Sequence, residues 1–312
     1  MRLGLLTTQT RDLSRSYREW LEFHFYLHQP QPYYAGAIGS LWSSKLFANL
    51  HLMPPTFESW QSYSNFASGV KRSKRHVPSA KAISFLNMLV FTSETRKTLI
   101  PAGTLFWRAQ RGFNHSTLKQ DISQYGNATP HLPDRMKPLP LATMSGRLNR
   151  KGAPSSLYLA TDQHTAVSET RPWIGNHVSV AQFRMHRDVR VLDCSSEHSE
   201  NYYFYHEEPP DSQERERAVW REFSRSLSEP ISAETRTADY VPTQIIAEHF
   251  RAQGWDGILY QSLLGGGKNL ALFDLTTATL ISCTLQYVRS LVPVYEEVVN
   301  PEYQDAHYPG GA

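Results

Sequence analysis

The chain has 312 residues, of which 40% are hydrophobic and 20% charged, and its formal net charge is +3. This balance is typical of a globular protein and excludes a chain that is disordered throughout. Its two cysteines, Cys194 and Cys283, are too few for a disulfide framework, and their spacing fits no metal site. No apolar run approaches the roughly 18 residues of a membrane span, and the N-terminal apolar patch is too short for a signal peptide. The cytoplasm is therefore the expected location.

Residues 1–98 have the apolar spacing of helices. Apolar and aromatic side chains recur at helical intervals over 14–28, 38–50 and 79–99, and prolines follow the first two of these segments. The basic run 71–76 precedes the third segment, where it fits a solvated loop or a contact with nucleic-acid phosphates. We predict a small helical N-terminal region that ends near residue 98.

Beyond Pro101 the pattern changes to short runs that are rich in β-branched and aromatic residues, and several of these runs alternate. They predict strands at 104–108, 156–160, 178–185, 189–194, 257–261, 270–275 and 280–288. A short helix is predicted at 162–170. A longer helix is predicted at 243–253, capped by Thr243 and ended by Gly254.

These elements predict an α+β fold for the rest of the chain. A mixed or antiparallel sheet with flanking helices occupies 99–295 in this prediction. A polar stretch at about 195–240 interrupts the sheet and contains a further helix at 212–227, whose apolar side chains fall on one stripe. Residues 296–312 are predicted to form a flexible tail.

Four short stretches of this region carry residue types that suit one ligand. In chain order they contain Arg108, Gly146, Arg147, Asn149, Tyr158, Glu169, Ser262 and Asn269. A guanidinium binds pyrophosphate through paired hydrogen bonds, and a tyrosine face stacks on a planar heterocycle. A carboxylate can hold a ribose hydroxyl and stabilise the positive charge that grows on the sugar during glycosidic cleavage. A hydroxyl and the glycine-rich turn at 265–267 allow the backbone to approach a ligand closely.

At these residues the sequence resembles the RES family, which is named for an Arg, a Glu and a Ser. The resemblance covers roughly 105–273. It includes Gly-Arg-Leu-Asn at 146–149, Leu-Tyr-Leu-Ala at 157–160, Tyr-Val-Pro-Thr-Gln at 240–244 and the run 256–262. The family is similar to ADP-ribosyltransferases of the diphtheria-toxin type, so the resemblance implies an ADP-ribosyltransferase-like sheet.

The resemblance implies a bacterial toxin or defence effector that cleaves the nicotinamide–ribose bond of NAD⁺, by hydrolysis or phosphorolysis. By analogy, Glu169 holds the ribose and stabilises the cation, and Tyr158 packs on nicotinamide. Arg108 and Arg147 both hold the phosphates and orient the ribose, and which of the two dominates stays open. Glu169, Arg147 and Tyr158 are thus the implied catalytic residues, and Arg108, Ser262, Asn269, Gly146 and Asn149 are the residues implied in NAD⁺ binding. NAD⁺ is then a substrate, and no resident cofactor or metal is expected.

The usual partner in this family is an antitoxin with an Xre-like DNA-binding region, which inserts its end into the active site. The resemblance implies such a partner and no direct contact with nucleic acid or a membrane. Leu148 stands where many members have an aromatic residue, and residues 1–98 and 195–240 exceed the minimal family domain. These additions leave open whether the antitoxin contact is occluded or replaced, and whether the chain forms a homo-oligomer.

Two other functions stay open. The first is mono-ADP-ribosylation of a host protein. Arginine-directed transferases carry Glu or Gln two positions before the catalytic Glu, where this chain has Val167, which argues against arginine as the acceptor. The second is a nucleic-acid- or partner-binding protein without NAD⁺ activity, which would use the basic run 71–76 and the N-terminal helices. A phosphate loop is excluded, because its motif requires glycine at Ser262 and a hydroxyl residue at Asn269.

Overall fold

The structure, a computed structural model, describes residues 56–72, 79–115, 128–196, 210–229 and 237–292. The helices predicted at 14–28 and 38–50 lie outside the described residues, as do 73–76 of the basic run and the predicted tail. Contacts between Cα atoms divide the chain into two compact units, Met1–Thr56 and Phe57–Ala312.

Within the described residues, six α-helices are formed: α1 (Ser62–Arg72), α2 (Ala80–Ser93), α3 (Pro133–Met136), α4 (Gln163–Glu169), α5 (Ser212–Ser228) and α6 (Val241–Ala252). Side-chain caps start three of them. Ser79 caps α2, and Asp162 caps α4 by accepting a hydrogen bond from the amide of Thr165. Asp211 and Glu214 form a capping box at the start of α5. None of the helices in this part of the chain is long and apolar enough to span a membrane.

The described residues also form ten strands: β1 (Lys97–Ile100), β2 (Leu105–Arg111), β3 (Asn114–His115), β4 (Ala128–Thr129), β5 (Leu157–Ala160), β6 (His177–Met185), β7 (Val189–Cys194), β8 (Gly257–Gln261), β9 (Lys268–Leu272) and β10 (Ala278–Tyr287). Eight of them make one sheet in the order β1-β7-β8-β9-β5-β2-β6-β10, while β3 and β4 pair separately. Neighbouring strands are antiparallel except for β7 and β8, which are parallel. The predicted α+β class, with a mixed sheet and flanking helices, is confirmed.

Two neighbouring strands near the middle of the sheet share only one pair of residues. Strands β2 and β5 meet through the single pair of Trp107 and Ala160, whereas β2 pairs with β6 along its whole length. Backbone groups of β2 and β5 that do not pair with each other can therefore form hydrogen bonds with side chains. Arg108 uses this opening, since its Nη1 donates to the carbonyl of Tyr158 over 3.0 Å. The gap between β2 and β5 marks the position of the candidate site.

Two apolar clusters pack against the sheet. The first lies between the sheet and the helices α1, α2, α5 and α6, and it contains the fully buried Trp220 and Phe250. The second draws on both halves of the sheet, with Leu157 and Leu270 from one half and Phe183 from the other. Full burial of side chains of this size contributes about 1.5–3 kcal/mol each. The two clusters hold the halves of the sheet and the helical layer together.

Helices α1 and α2 share the first cluster with the sheet. Phe66 of α1 and Leu89 of α2 are buried there, beside Trp220 of α5, whose indole Nε1 donates to Thr92 Oγ1 over 3.0 Å. The division into compact units accordingly falls after Thr56, rather than near residue 98 where the helical N-terminal region was predicted to end. The apolar faces of α1 and α2 therefore pack towards the sheet.

The helix predicted at 79–99 ends earlier than its apolar pattern. Helix α2 stops at Ser93, a 3₁₀ turn follows at Glu94–Arg96, and β1 then pairs antiparallel with β7. Ile100 is buried, whereas its neighbour Leu99 is 61% exposed, as expected for alternating positions of a strand. The helical prediction is wrong for 97–99, because pairing with β7 outweighs the local spacing.

Candidate active site

A cavity of about 830 Å³ lies beside the gap between β2 and β5. Its wall is formed by β2, β5, the end of α4, the loop 144–149 and the C-terminal end of α5. Seven of the eight residues predicted for the site line this cavity: Arg108, Gly146, Arg147, Asn149, Tyr158, Glu169 and Asn269. The eighth, Ser262, is buried and contacts Glu169 instead.

Glu169 is the last residue of α4, and two neutral donors hold its carboxylate. Ser262 Oγ donates to Oε1 over 2.7 Å, and Asn269 Nδ2 donates to the same oxygen over 2.6 Å. Both donor residues are buried, whereas Glu169 is exposed. Because Ser262 follows β8 and Asn269 lies in β9, this hairpin sets the direction of the carboxylate at the cavity wall.

The glycine-rich turn between β8 and β9 packs on α4. A Cβ atom on Gly267 would lie 2.0 Å from Asp162 Oδ2, and one on Gly265 would lie 2.6 Å from Thr165 Cα. The amide of Gly267 also donates to Thr165 Oγ1 over 2.9 Å. None of the three glycines lines the cavity, and Gly265 and Gly267 make their close approach to the start of α4. An approach of this turn to a ligand stays a prediction.

Arg108 places a largely buried guanidinium in the cavity wall. Apart from the bond from Nη1 to the Tyr158 carbonyl, its Nε is buried with no hydrogen-bond partner. Among the described residues, no carboxylate lies within ion-pairing distance of it. Burial lowers the pKa of the Arg108 guanidinium from its usual value. A buried cation without a carboxylate partner is suited to an anionic ligand.

Arg147 is engaged by the protein itself. Its two terminal nitrogens donate to the carbonyl groups of Ser226 and Glu229 at the C-terminal end of α5. A cation is favoured at that end because the last carbonyls of a helix have no partner within the helix. The guanidinium also lies 5.9 Å from the ring centroid of Tyr240. The two predicted arginines therefore differ in their partners: Arg147 is bound by carbonyl groups of α5, whereas the Nε of Arg108 has no hydrogen-bond partner.

The first turn of α6 holds the loop that carries Arg147. Thr243 Oγ1 donates to the Arg147 carbonyl over 2.6 Å, and Gln244 Nε2 donates to the Gly146 carbonyl over 2.6 Å.

The predicted cap at Thr243 is wrong, because α6 begins two residues earlier with proline in its first turn. Sequence reasoning placed 240–244 in the family resemblance but missed this contact. The only signal was two polar residues next to that proline.

Tyr158 uses its hydroxyl to hold the same loop. The hydroxyl donates to Asn149 Oδ1 over 2.7 Å and accepts from the amide of Leu148 over 3.3 Å. Burial raises the pKa of Tyr158 to about 12. The ring lines the cavity, so stacking on a flat ligand stays a prediction, while the hydroxyl is committed to the loop.

Further cavity residues were missed from the sequence. Trp107 and Trp173 add aromatic surface, and Arg111 and Arg171 add positive charge. Trp107 precedes the predicted Arg108 in β2, and Arg171 follows Glu169 by two positions, so adjacency to the motif was the available signal. Within the part of the chain that the structure describes, no group of His, Cys, Asp or Glu side chains is placed to hold a metal ion.

The fold and the site define an α+β protein in which two carboxylates and four arginines line one cavity. A family model for the RES domain matches residues 105–292, which is more than half of the chain, so the chain belongs to the RES domain family. Among solved structures, a chain in the crystal structure of the M. tuberculosis MbcT–MbcA toxin–antitoxin complex is similar, at 14% identity and a TM-score of 0.33. That match covers 64% of this chain and 92% of the other. No curated protein matches the chain.

Proposed function

We propose that the chain cleaves the nicotinamide–ribose bond of NAD⁺. The observation that carries this proposal is the geometry of Glu169, whose carboxylate is fixed by Ser262 and Asn269 at the wall of an arginine-lined cavity. A fixed anion beside a ribose stabilises the positive charge that develops when a glycosidic bond breaks. Membership of the RES domain family supports the same reaction.

The reaction then follows from the charges. The bond between ribose C1′ and the pyridinium nitrogen breaks, and its electron pair neutralises that nitrogen, so nicotinamide leaves uncharged. The ribose becomes an oxocarbenium-like cation, which the Glu169 carboxylate stabilises. Arg108 offers its guanidinium to the pyrophosphate, and Tyr158 and Trp107 offer aromatic surface to the flat ring. The acceptor oxygen then forms a bond to C1′. Water releases a proton to solvent after this attack, whereas phosphate attacks through an oxygen that is already ionised.

Water or phosphate is the acceptor in this proposal. An arginine-directed transferase would use a polar residue two positions before the catalytic Glu, and here Val167 occupies that position without lining the cavity. The products identify the acceptor directly. Water yields ADP-ribose, phosphate yields its 1-phosphate, and a protein acceptor yields a labelled protein.

The test measures nicotinamide release from NAD⁺ by the purified chain, with products separated by liquid chromatography and mass spectrometry. We expect Glu169→Gln to lower the rate by at least about 100-fold, since it removes the stabilising charge and keeps the side-chain shape. Glu94→Gln is the matched control, because Glu94 is exposed and pairs only with Lys97 among the described residues. NAD⁺ cleavage that survives Glu169→Gln contradicts the proposal.

We extend the proposal to a toxin of a toxin–antitoxin pair that depletes cytoplasmic NAD⁺. The family resemblance supports this role and an antitoxin with an Xre-like DNA-binding region as partner. Expression in a bacterial host is then expected to lower cellular NAD⁺ and stop growth. Co-expression of the antitoxin is expected to reverse both effects, and Glu169→Gln is expected to show neither. Growth arrest with an unchanged NAD⁺ level would contradict this role.

A further inference from the structure

Tyr260 of β8 carries a buried hydroxyl that has no hydrogen-bond partner among the described residues. The residue is 7% exposed and lines the cavity. Its oxygen is not fully enclosed by protein atoms, so it opens onto the cavity. A hydroxyl that leaves water on folding without gaining a protein partner costs free energy, and such groups are uncommon in folded proteins. This hydroxyl is therefore suited to a partner that enters the cavity.

The other hydroxyl groups of the cavity lining already have partners in the protein. Ser145 Oγ accepts a hydrogen bond from a backbone amide, and the Tyr158 hydroxyl holds the loop 144–149. Thr170 and Ser228 each donate to a carbonyl group of the preceding helical turn. Within the described part of the lining, Tyr260 alone therefore offers a hydroxyl without a partner.

The sheet places Tyr260 beside the proposed catalytic carboxylate. Tyr260 pairs with Asn269 of β9, which in turn pairs with Ala160 of β5. Paired positions of antiparallel strands direct their side chains to the same face of the sheet. Asn269 donates to Glu169 from this face, and Tyr158 lies on it two positions before Ala160. Tyr260 thus shares its face with a donor of the carboxylate and with the aromatic ring of the site.

The Tyr260 hydroxyl keeps its proton at neutral pH. Burial raises the pKa of Tyr260 above its usual value, and the nearby acidic groups of Tyr158 and Glu169 raise it further. A protonated phenol donates one hydrogen bond and does not act as a base. The hydroxyl is therefore a neutral donor close to Glu169, which suits an uncharged oxygen of a ligand. The arginines of the cavity suit its phosphate groups instead.

We propose that the Tyr260 hydroxyl donates a hydrogen bond to the substrate ribose hydroxyl that Glu169 holds. The inference deepens the proposed NAD⁺ cleavage and rests on it for the identity of the substrate. A ribose hydroxyl that donates to a carboxylate keeps its lone pairs, so it can accept from a neutral donor on the same face. The buried phenol then gains in the complex the hydrogen bond that it lacks in the free chain.

The experiment separates the ribose from the phosphates with two probes, because ADP-ribose carries a second ribose that ADP lacks. Calorimetry measures the Kd of both probes for the full chain and for Tyr260→Phe, which removes only the hydroxyl. We expect Tyr260→Phe to weaken binding of ADP-ribose by about 5-fold or more, as for the loss of one neutral hydrogen bond, and to leave ADP binding unchanged. An unchanged affinity for ADP-ribose, or an equal loss for both probes, overturns the inference. Absence of ADP-ribose binding by the unaltered chain also overturns it.

Tyr63→Phe is the matched control. Tyr63 is also 7% exposed and belongs to the same apolar cluster as Tyr260, but it does not line the cavity, and its hydroxyl donates to Ser226 Oγ over 2.6 Å. We expect Tyr63→Phe to lower the Tm and keep the affinity for ADP-ribose, whereas Tyr260→Phe keeps the Tm because its hydroxyl has no protein partner. A lower Tm in Tyr260→Phe with unchanged affinity would identify a structural hydroxyl and overturn the inference.

NAD⁺ cleavage is scored separately, so that the two proposals fail independently. A chain that leaves NAD⁺ intact, but loses ADP-ribose affinity in Tyr260→Phe, rejects the proposed function and keeps the ribose contact. A chain that cleaves NAD⁺ with the same kcat/KM in Tyr260→Phe keeps the function and rejects the contact.

Discussion

Ser262 Oγ and Asn269 Nδ2 reach the same oxygen of Glu169 from neighbouring positions of one hairpin. Ser262 also accepts hydrogen bonds from the amides of Leu264 and Gly265, so one hydroxyl joins the turn to the carboxylate. A hydrogen bond to a charged group contributes about 1.5–3 kcal/mol. We therefore propose that Ser262 acts through Glu169, as a positioning residue.

We expect Ser262→Ala to lower kcat for NAD⁺ cleavage by about 10- to 100-fold, because Glu169 then keeps only the bond from Asn269. The two turn amides lose their acceptor, so the free energy of unfolding is expected to fall by about 1 kcal/mol. Nicotinamide release at saturating NAD⁺ and urea denaturation give the two values. Ser93→Ala is the control, since Ser93 is also buried and bonds only within its own helix among the described residues. A wild-type kcat in Ser262→Ala would refute the positioning role.

At the level of elements, α4 and the β8–β9 turn form one unit that presents Glu169. Thr161 and Thr165 accept hydrogen bonds from the amides of Lys268 and Gly267, each over 2.9 Å. Gly265 and Gly267 permit this contact because their Cα atoms lie against the start of α4. Displacement of the turn would move both donors of Glu169 together.

We expect Gly267→Ala to lower the free energy of unfolding by about 1–3 kcal/mol, since its Cβ would lie 2.0 Å from Asp162 Oδ2. NAD⁺ cleavage should fall with it, because the turn links Ser262 to Asn269. Gly266→Ala is the matched control: a Cβ there meets nothing within 4 Å. Thermal and urea unfolding of the two variants provide the comparison. Equal stability of the two would show that α4 and the turn are not coupled.

The sequence predicted the elements around the cavity better than the contacts between them. Glu169 and Arg108 were singled out by the resemblance to the RES family, and local patterns placed them in a short helix and a strand. The bond from Thr243 to Arg147 joins residues 96 positions apart, and no local spacing encodes such a distance. The same limit explains β1, whose partner β7 lies about 90 residues further along the chain. Contacts between elements that are distant in sequence determine both the bond from Thr243 to Arg147 and the pairing of β1 with β7.

Across the whole molecule, three tyrosines lie in or against the apolar cluster under the helices: Tyr63, Tyr158 and Tyr260. Burial raises the pKa of each hydroxyl above its usual value, to about 12 for Tyr158. A tyrosine is neutral while protonated, so the folded chain keeps its protons at a pH where the unfolded chain has lost them. The contribution to stability is complete below pH 10 and is lost as pH rises through the folded pKa.

We therefore expect the free energy of unfolding to fall as pH rises above about 10, by at most about 1.4 kcal/mol per pH unit for each tyrosine. Urea unfolding between pH 8 and 11 measures this slope. Tyr158→Phe removes one titrating hydroxyl and should make the slope shallower, although loss of the bond to Asn149 lowers stability at every pH. If stability stays constant up to pH 11, the three hydroxyls are not protected by the cluster as the structure implies.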